Sequence, residues 1–225
     1  MLGGRPTLRR GSAAEPLRCA VLVSGSGSGM VALIQAQRAF AEASYSIALV
    51  VCNNPTAPAV AKALDLGLPT LVADHRVHAP EGRREAHEAV VLEALRAHDV
   101  ELVVLSGYMR LLSPWFLQRW GAPVLNIHPS LLPAFPGAHA HRDVLEAGVS
   151  VTGCTVHLVD EGMDTGLVLE QTPVPVLTDD NESTLSERVK VEEHRLFPSV
   201  LGRIADGIIS VTADGRSVLS GRMDD

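Results

Sequence analysis

Short apolar runs alternate with amphipathic stretches through the first half of the chain. Continuous apolar runs are typical of strands covered on both faces of a parallel sheet, and apolar residues three or four positions apart are typical of helices. The pattern predicts strands at 19–23, 46–51, 68–72 and 100–105, and helices at 30–42, 57–66 and 84–98. Repeated strand–helix–strand units predict an α/β fold, a doubly wound and mainly parallel sheet with helices on both faces.

The second half of the chain has a different pattern. Two apolar stretches, 150–159 and 168–176, predict neighbouring strands and are separated by an acidic turn, residues 160–166. The C-terminal part of the sheet is therefore expected to be mixed. A long final helix is predicted over 184–206, with Ser183 or Thr184 as its N-terminal cap.

One domain is predicted to account for nearly the whole chain. Residues 1–16 are rich in arginine, proline and glycine and contain no apolar run, which excludes a signal peptide. A disordered extension is predicted, with an organelle transit sequence as the less favoured alternative. Residues 17–225 are predicted to form a single domain with two lobes, 17–120 and 121–225. A hairpin is predicted at 208–219, where Ala-Asp-Gly supplies the turn.

Composition limits the classes of function. With 46% hydrophobic and 20% charged residues the sequence is typical of a globular protein, and a net charge of −7 argues against a protein that wraps nucleic acid. No apolar run approaches the ~18 residues of a membrane-spanning helix, so neither nucleic acid nor membrane is expected as a partner. The cysteines lie far apart in apolar segments, which predicts buried thiols in a reducing, cytoplasmic compartment. They are Cys19, Cys52 and Cys154.

Ligand-binding segments are predicted at the C-terminal ends of the strands, where doubly wound sheets bind their ligands. This rule selects residues 24–29, residues 106–112 and the segment that follows 124–127. Residues 24–29 are small and precede a helix, so their backbone N–H groups could approach a phosphate. The dinucleotide-binding pattern fails because Met30 stands at its third glycine position, and the turn alone favours a phosphate site no more than a plain tight turn.

Asn126 and His128 are the strongest candidates for chemistry. Alternation along a strand places both side chains on one face at the end of a predicted strand. An amide and an imidazole that point together from a sheet edge can stabilise a developing oxyanion and manage a proton. The alternative is a buried pair that bonds only to backbone. In the acidic turn, Asp160 or Asp164 could reach the imidazole and keep it protonated, and spacing does not choose between them.

Other polar residues carry weaker signals. His139 and His141 lack a third ligand at a convincing spacing, so no metal site is predicted. Lys190, Glu193 and His194 lie within about one turn of the predicted last helix. Lys190 could offer a cation to a ligand there or simply face solvent.

An ordered series of motifs runs along the chain. It comprises Val-Ser-Gly-Ser-Gly-Ser at 23–28, Ser-Gly-Tyr-Met-Arg at 106–110, Leu-Asn-Ile-His-Pro-Ser-Leu-Leu-Pro at 125–133, Pro-Gly-Ala-His-Ala-His at 136–141, Thr-Val-His at 155–157 and Met-Asp-Thr-Gly at 163–166. From about residue 18 to residue 206 the chain resembles the phosphoribosylglycinamide formyltransferases, a folate-dependent family of purine biosynthesis. The resemblance implies formyl transfer from 10-formyltetrahydrofolate, as co-substrate, to the amine of glycinamide ribonucleotide, with no metal.

The resemblance also implies roles for individual residues. Asn126 and His128 would hold the oxyanion of the tetrahedral intermediate. Asp164 would keep His128 protonated and help to move a proton from the amine, and His157 would support the site. The residues implied to contact the ribonucleotide are Gly27, Ser28, Gly29, Lys190 and Glu193. Those implied to contact the folate are Arg84, Met109, Arg110, Leu111, Leu112, Asn126, Val159, Asp160 and Asp164.

In the same interpretation residues 17–120 form a nucleotide- and phosphate-binding lobe, and residues 121–225 form a catalytic and folate-binding lobe. The partners are small molecules only, and the protein is a monomer or a homodimer. Gly29 stands where the family usually has Asn, which predicts weaker affinity for the ribonucleotide, and Tyr108 stands where Phe is common.

Related families and one different class are the alternatives. A formyltetrahydrofolate hydrolase would carry an additional N-terminal regulatory domain, and a methionyl-tRNA formyltransferase would carry a further C-terminal domain and a basic surface. Sugar-nucleotide formyltransferases usually differ at Pro129. A nucleotide-binding module without catalysis would be expected to have lost Asn126, His128 or Asp164, and all of these are present.

Overall fold

A computed structural model describes residues 7–40, 42–78, 84–212 and 218–219. Within these ranges one sheet contains the strands Leu17–Val23 (β1), Tyr45–Cys52 (β2), Thr70–Val72 (β3), Leu102–Leu105 (β4), Val124–His128 (β5), Val151–Leu158 (β6) and Val168–Pro175 (β7). Their order is β3-β2-β1-β4-β5-β6-β7. Strands β1 to β5 are parallel, whereas β6 is antiparallel to β5 and β7 is antiparallel to β6. The predicted α/β class, with a mainly parallel sheet and a mixed C-terminal part, is confirmed.

Helices cover both faces of this sheet. They are Ser28–Ala39 (α1), Pro58–Asp65 (α2), His75–His78 (α3), Arg84–Ala97 (α4), Pro114–Trp120 (α5), Ala140–Glu146 (α6) and Glu182–Ala205 (α7). Alternate residues of β1 point to opposite faces, as the pleat of a strand requires. Cys19, Val21 and Val23 lie in the core beneath α1, α2, α6 and α7, while Ala20 and Leu22 lie in the core beneath α4 and α5.

The order in which successive strands are added to the sheet reverses between β1 and β4. From β1 the chain winds outward through β2 to β3 and then returns, so that β4 pairs with the other side of β1 in the register Leu22↔Leu105. Ligands of open α/β sheets bind in the crevice at such a reversal. Because β5 lies beside β4, the ends of β1, β4 and β5 share one edge, and this edge carries the segments that the sequence selected.

The N-terminal segment corrects one prediction. Residues 7–16 were predicted to be disordered, yet they lie against the domain, and residues 1–6 are outside the described ranges. Leu8 donates its N–H to Val211 O at 2.9 Å, and Arg9 Nη2 donates to Glu101 Oε2 at 2.7 Å. Backbone bonds and an ion pair therefore hold a segment whose composition lacks an apolar run.

The C-terminal elements confirm one prediction and correct another. Ser210–Val211 (β8) and Val218–Leu219 (β9) pair in antiparallel fashion, which confirms the hairpin, while its turn lies outside the described residues. The cap of α7 was predicted wrongly as Ser183 or Thr184. Asn181 is the cap, because its side chain accepts hydrogen bonds from the N–H groups of both residues, at 2.9 and 3.1 Å.

Replacing Asn181 with alanine is expected to lower the free energy of unfolding by about 1 kcal/mol, because two N–H groups of the first turn lose their acceptor. Urea denaturation of the parent and the variant measures this difference. Ser183→Ala is the matched control, and its effect should be under about 0.5 kcal/mol. A larger loss for Ser183→Ala than for Asn181→Ala would contradict the assignment.

The three cysteines are buried and unpaired, which confirms the prediction of buried thiols. None of the helices in the described ranges is both long enough and apolar enough to cross a membrane.

Candidate active site

Strand β5 brings Asn126 and His128 to the shared edge of the sheet. Both side chains approach the carboxylate of Asp164, as expected for residues two positions apart on one face. Asn126 Nδ2 lies 3.5 Å from Asp164 Oδ1, and His128 Nδ1 lies 3.4 Å from Asp164 Oδ2. An amide, an imidazole and a carboxylate thus meet at one point.

The two aspartates of the acidic turn make different contacts. Asp160 is exposed and accepts from the N–H of Gly162 at 3.0 Å and from Thr165 Oγ1 at 2.7 Å, so its side chain stabilises the turn itself. Asp164 has a φ of 57° and directs its carboxylate inward, where Oδ2 accepts the N–H of Gly137 at 2.8 Å. Of the two, Asp164 is the aspartate that faces the imidazole.

His128 has a hydrogen-bond acceptor beside each ring nitrogen. Its Nε2 lies 2.8 Å from the carbonyl oxygen of Phe135, and its Nδ1 faces Asp164. Only the doubly protonated imidazolium can donate to both. The ring is 4% exposed, so surrounding atoms fix its orientation.

His157 fixes the orientation of the Asn126 amide. Its Nδ1 donates to Leu158 O at 2.9 Å, and burial lowers the pKa of His157, which favours the neutral ring. The Nε2 atom of the neutral ring is an acceptor and receives Asn126 Nδ2 at 3.1 Å. The second N–H of the amide is then directed toward Asp164, where the long 3.5 Å contact leaves it available to a substrate oxygen.

The glycine-rich turn ends in an uncapped helix N-terminus. Gly27, with φ of 72°, precedes α1 and makes no side-chain cap, and the first turn of α1 contains no acidic residue. A Cβ atom on Gly27 would come within 2.8 Å of Ala59 Cβ, so glycine permits both the turn and its packing against α2. The first N–H groups of α1 therefore remain available to an anion.

Helix α7 passes beside this turn. His194 Nε2 lies 3.3 Å from Ser28 Oγ, and Lys190 is exposed one turn earlier. Burial, followed by the charge of Lys190, lowers the pKa of His194. Burial raises the pKa of Glu193 to about 7, an effect that Lys190 opposes. The structure thus brings Lys190 and His194 to the side of the edge on which the glycine-rich turn lies.

Replacing Glu193 with glutamine is expected to change how stability depends on pH. The carboxyl has a pKa of about 7 in the folded protein against 4.5 for the ordinary group, so folding loses stability as pH rises through this window. Between pH 5 and pH 8 the free energy of unfolding of Glu193→Gln should rise by about 2 kcal/mol relative to the parent.

Urea denaturation at the two pH values tests this expectation. Glu187→Gln removes a charge from an exposed position of α7 and is the control. A difference between Glu193→Gln and the parent that stays constant from pH 5 to pH 8 would contradict the raised pKa.

Residues 106–112, which follow β4, contribute apolar and basic side chains to the same edge of the sheet. Met109 and Leu111 are 72% and 53% exposed, whereas the Leu112 side chain, at 8%, packs in the core. Burial raises the pKa of Tyr108, and the nearby charges of Arg110 and Arg84 oppose this shift. Of the residues predicted here for the folate, Arg84, Met109, Arg110 and Leu111 thus have side chains that are at least partly exposed, whereas the Leu112 side chain is buried.

A cleft of about 480 Å³ opens beneath the acidic turn. Its lining includes Leu117, Val124, Leu158, Val159 and Asp160. Apolar walls with a polar rim are typical of sites for small organic molecules. In the described part of the chain, no group of three or more His, Cys, Asp or Glu side chains could hold a metal ion.

Sequence reasoning missed several members of this edge. The carbonyl of Phe135 and the N–H of Gly137 position His128 and Asp164, and the only sequence signal was the Phe-Pro-Gly turn itself. No pattern indicated that Ser106, which follows β4, lies against α1.

Comparison with known proteins agrees with this arrangement. The formyl transferase family profile matches residues 17–201. Phosphoribosylglycinamide formyltransferase of Mycobacterium tuberculosis is 43% identical over 208 residues, which cover 92% of this chain and 93% of that protein. The crystal structure of glycinamide ribonucleotide transformylase 1 from Symbiobacterium toebii aligns with a TM-score of 0.83 at 39% identity, over 90% of this chain and 93% of that one.

Longer proteins also match. The trifunctional purine biosynthetic protein adenosine-3 of Bos taurus is 42% identical over 212 residues, which cover 93% of this chain. The match covers 21% of that protein, so the chain spans about a fifth of the length of this trifunctional relative. Because the family profile covers most of the chain and a bacterial relative matches over nearly its whole length, the chain belongs to the formyl transferase family and, within it, to the phosphoribosylglycinamide formyltransferases.

Proposed function

We propose that this protein transfers the formyl group of 10-formyltetrahydrofolate to the amine of glycinamide ribonucleotide, in purine biosynthesis. The observation that carries the proposal is the meeting of Asn126, His128 and Asp164 at one strand edge, with separations of 3.4 and 3.5 Å. The uncapped first turn of α1 lies at the same edge, which suits an acceptor that carries a phosphate.

The ribonucleotide binds with its phosphate on the first turn of α1. The N–H groups that follow Gly27 donate to the phosphate, and the positive end of the helix dipole favours its charge. Ser28 and Gly29 leave the approach open to the backbone. Lys190 and Glu193 face the same substrate from α7, where the ammonium group complements the phosphate.

The folate binds between the segment after β4 and the acidic turn. Met109 and Leu111 expose apolar surface on one side, and the apolar cleft lined by Val159 lies on the other. A cleft of about 480 Å³ is within the range of small-molecule sites, so these residues suit a flat, partly apolar ring system. Arg84 and Arg110 add positive charge for the carboxylates of the donor.

The chemistry requires one bond to form, one to break and one proton to move. The amine nitrogen of the ribonucleotide bonds to the formyl carbon, the bond from that carbon to N10 of the folate breaks, and a proton passes from the amine to N10. Asn126 donates its second N–H, and the His128 imidazolium offers its loosely held Nδ1–H, to the formyl oxygen as negative charge develops on it. The Asp164 carboxylate keeps His128 protonated and accepts the proton of the attacking amine.

The dependence of turnover on the acceptor tests this function. Loss of 10-formyltetrahydrofolate is followed by absorbance with and without glycinamide ribonucleotide. The proposal expects turnover only when the ribonucleotide is present. Equal turnover without it would indicate a hydrolase, and binding of the ribonucleotide without turnover would indicate a nucleotide-binding module.

A further inference from the structure

Ser106 lies between the end of β4 and the first turn of α1. Its N–H donates to Leu22 O at 3.0 Å, and the N–H of Ser24 donates to Gly107 O at 3.1 Å, so backbone bonds to the end of β1 hold it firmly. The residue is 6% exposed. Among the described residues its hydroxyl has no hydrogen-bond partner.

The hydroxyl of Ser106 points at Gly29. A Cβ atom on Gly29 would overlap Ser106 Oγ and would stand 3.8 Å from Ser106 Cβ. Because the Cα–Cβ bond of a helical residue tilts toward the helix N-terminus, the Oγ lies on the N-terminal side of Gly29. It therefore occupies the space beside the free N–H groups of the first turn, and only glycine at position 29 leaves that space open.

Because no described residue accepts a hydrogen bond from this hydroxyl, its proton is available to a ligand or to water. It lies beside Gly29 in the first turn of α1, and the positive end of that helix attracts an anion. A hydroxyl can donate to the same anion. The two features, an uncapped helix terminus and an orphan hydroxyl aimed into it, are independent.

We propose that Ser106 is a phosphate-binding residue, whose hydroxyl donates to a phosphoryl oxygen held by the first turn of α1. Gly29 is its necessary partner because any side chain there displaces the hydroxyl. The identity of the ligand as the ribonucleotide rests on the proposed function, whereas the contact with phosphate does not.

The first test measures ligand affinity of Ser106→Ala. The KM for glycinamide ribonucleotide should rise about tenfold, which is the usual effect of losing one hydrogen bond to a charged group. The Kd of inorganic phosphate, measured by calorimetry, should rise by a similar factor. Both kcat and the KM for 10-formyltetrahydrofolate should stay within about twofold of the parent.

The second test is a double-mutant cycle with Gly29→Ala. In the parent the new methyl group forces the Ser106 hydroxyl away, so Gly29→Ala should also raise the phosphate Kd about tenfold. In the Ser106→Ala background the methyl meets only Cβ, at 3.8 Å, and should add less than about twofold. Independent effects, about a hundredfold in the double variant, would overturn the proposal.

Ser44→Ala is the matched control, because Ser44 is a buried serine beside the start of β2, at the opposite end of the strands. It should leave phosphate affinity unchanged, and thermal melting of every variant checks folding. An unchanged phosphate Kd in folded Ser106→Ala would overturn the inference. A parent that binds phosphate but shows no turnover with the ribonucleotide would overturn the proposed function alone.

Discussion

Replacing His128 with alanine should reduce kcat for formyl transfer by about 10²–10⁴-fold, the range for loss of a group that manages a proton. Phe135 O fixes the ring through Nε2, and the Nδ1–H, whose 3.4 Å contact with Asp164 is long, is the donor available to the formyl oxygen. Alanine supplies no donor, and water cannot take its place in a fixed orientation. Steady-state kinetics at saturating concentrations of both substrates measure the effect.

His98→Ala is the matched control for His128→Ala. His98 is a half-buried histidine just after α4 whose Nδ1 lies 2.8 Å from Ala94 O, far from the C-terminal ends of the strands. It should retain kcat within about twofold. A folded His128→Ala protein with more than about a tenth of the parental kcat would contradict the role of the imidazolium.

Replacing Asp164 with asparagine should reduce kcat by about 10²–10³-fold. The amide has nearly the shape of the carboxylate and keeps an oxygen for the N–H of Gly137, but it has no negative charge. It neither stabilises the imidazolium of His128 nor accepts the proton of the amine. Single-turnover kinetics with both substrates bound separate this chemical step from binding.

Asp160→Asn is the informative comparison, since it changes an acid of the same turn. Its side chain bonds to Gly162 and Thr165, and asparagine keeps an acceptor for both. We expect a change in the KM for 10-formyltetrahydrofolate with a much smaller effect on kcat. If Asp160→Asn lowered kcat as strongly as Asp164→Asn, the assignment of Asp164 would be wrong.

His128 and Asp164 act as a unit, so their effects should not multiply. The double variant His128→Ala/Asp164→Asn should have nearly the kcat of His128→Ala alone. A further loss of 10²-fold or more would indicate that the two side chains act independently.

The fold and the core of the site were predictable because the spacing of apolar and polar residues, which identifies strands and helices, repeats every two to four positions and can be seen in the sequence itself. The apolar runs around Cys19 and Val104 identified central strands, and alternation placed Asn126 and His128 on one face. The strand-end rule then located the edge without any knowledge of side-chain contacts.

The remaining features depend on contacts between distant segments. Spacing could not choose between Asp160 and Asp164, because the choice depends on the positive φ of Asp164 within its turn. Residues 7–16 are held against the domain in part by the ion pair between Arg9 and Glu101, which are 92 positions apart. Composition alone cannot reveal such a pair.

Cap chemistry explains the error at α7. Asn181, Ser183 and Thr184 are all good capping residues by type, so the sequence does not rank them. Asn181 is the residue with extended φ and ψ, −115° and 176°, and this geometry decides which side chain reaches the free N–H groups.

The fate of a ¹³C label in the formyl group of 10-formyltetrahydrofolate tests the central claim most directly. Enzyme, labelled donor and glycinamide ribonucleotide are mixed, and the label is followed by NMR. Transfer to the amine predicts a formamide carbon on the ribonucleotide, formed in step with tetrahydrofolate and absent with His128→Ala. Labelled formate as the product, with the ribonucleotide unchanged, would contradict the account.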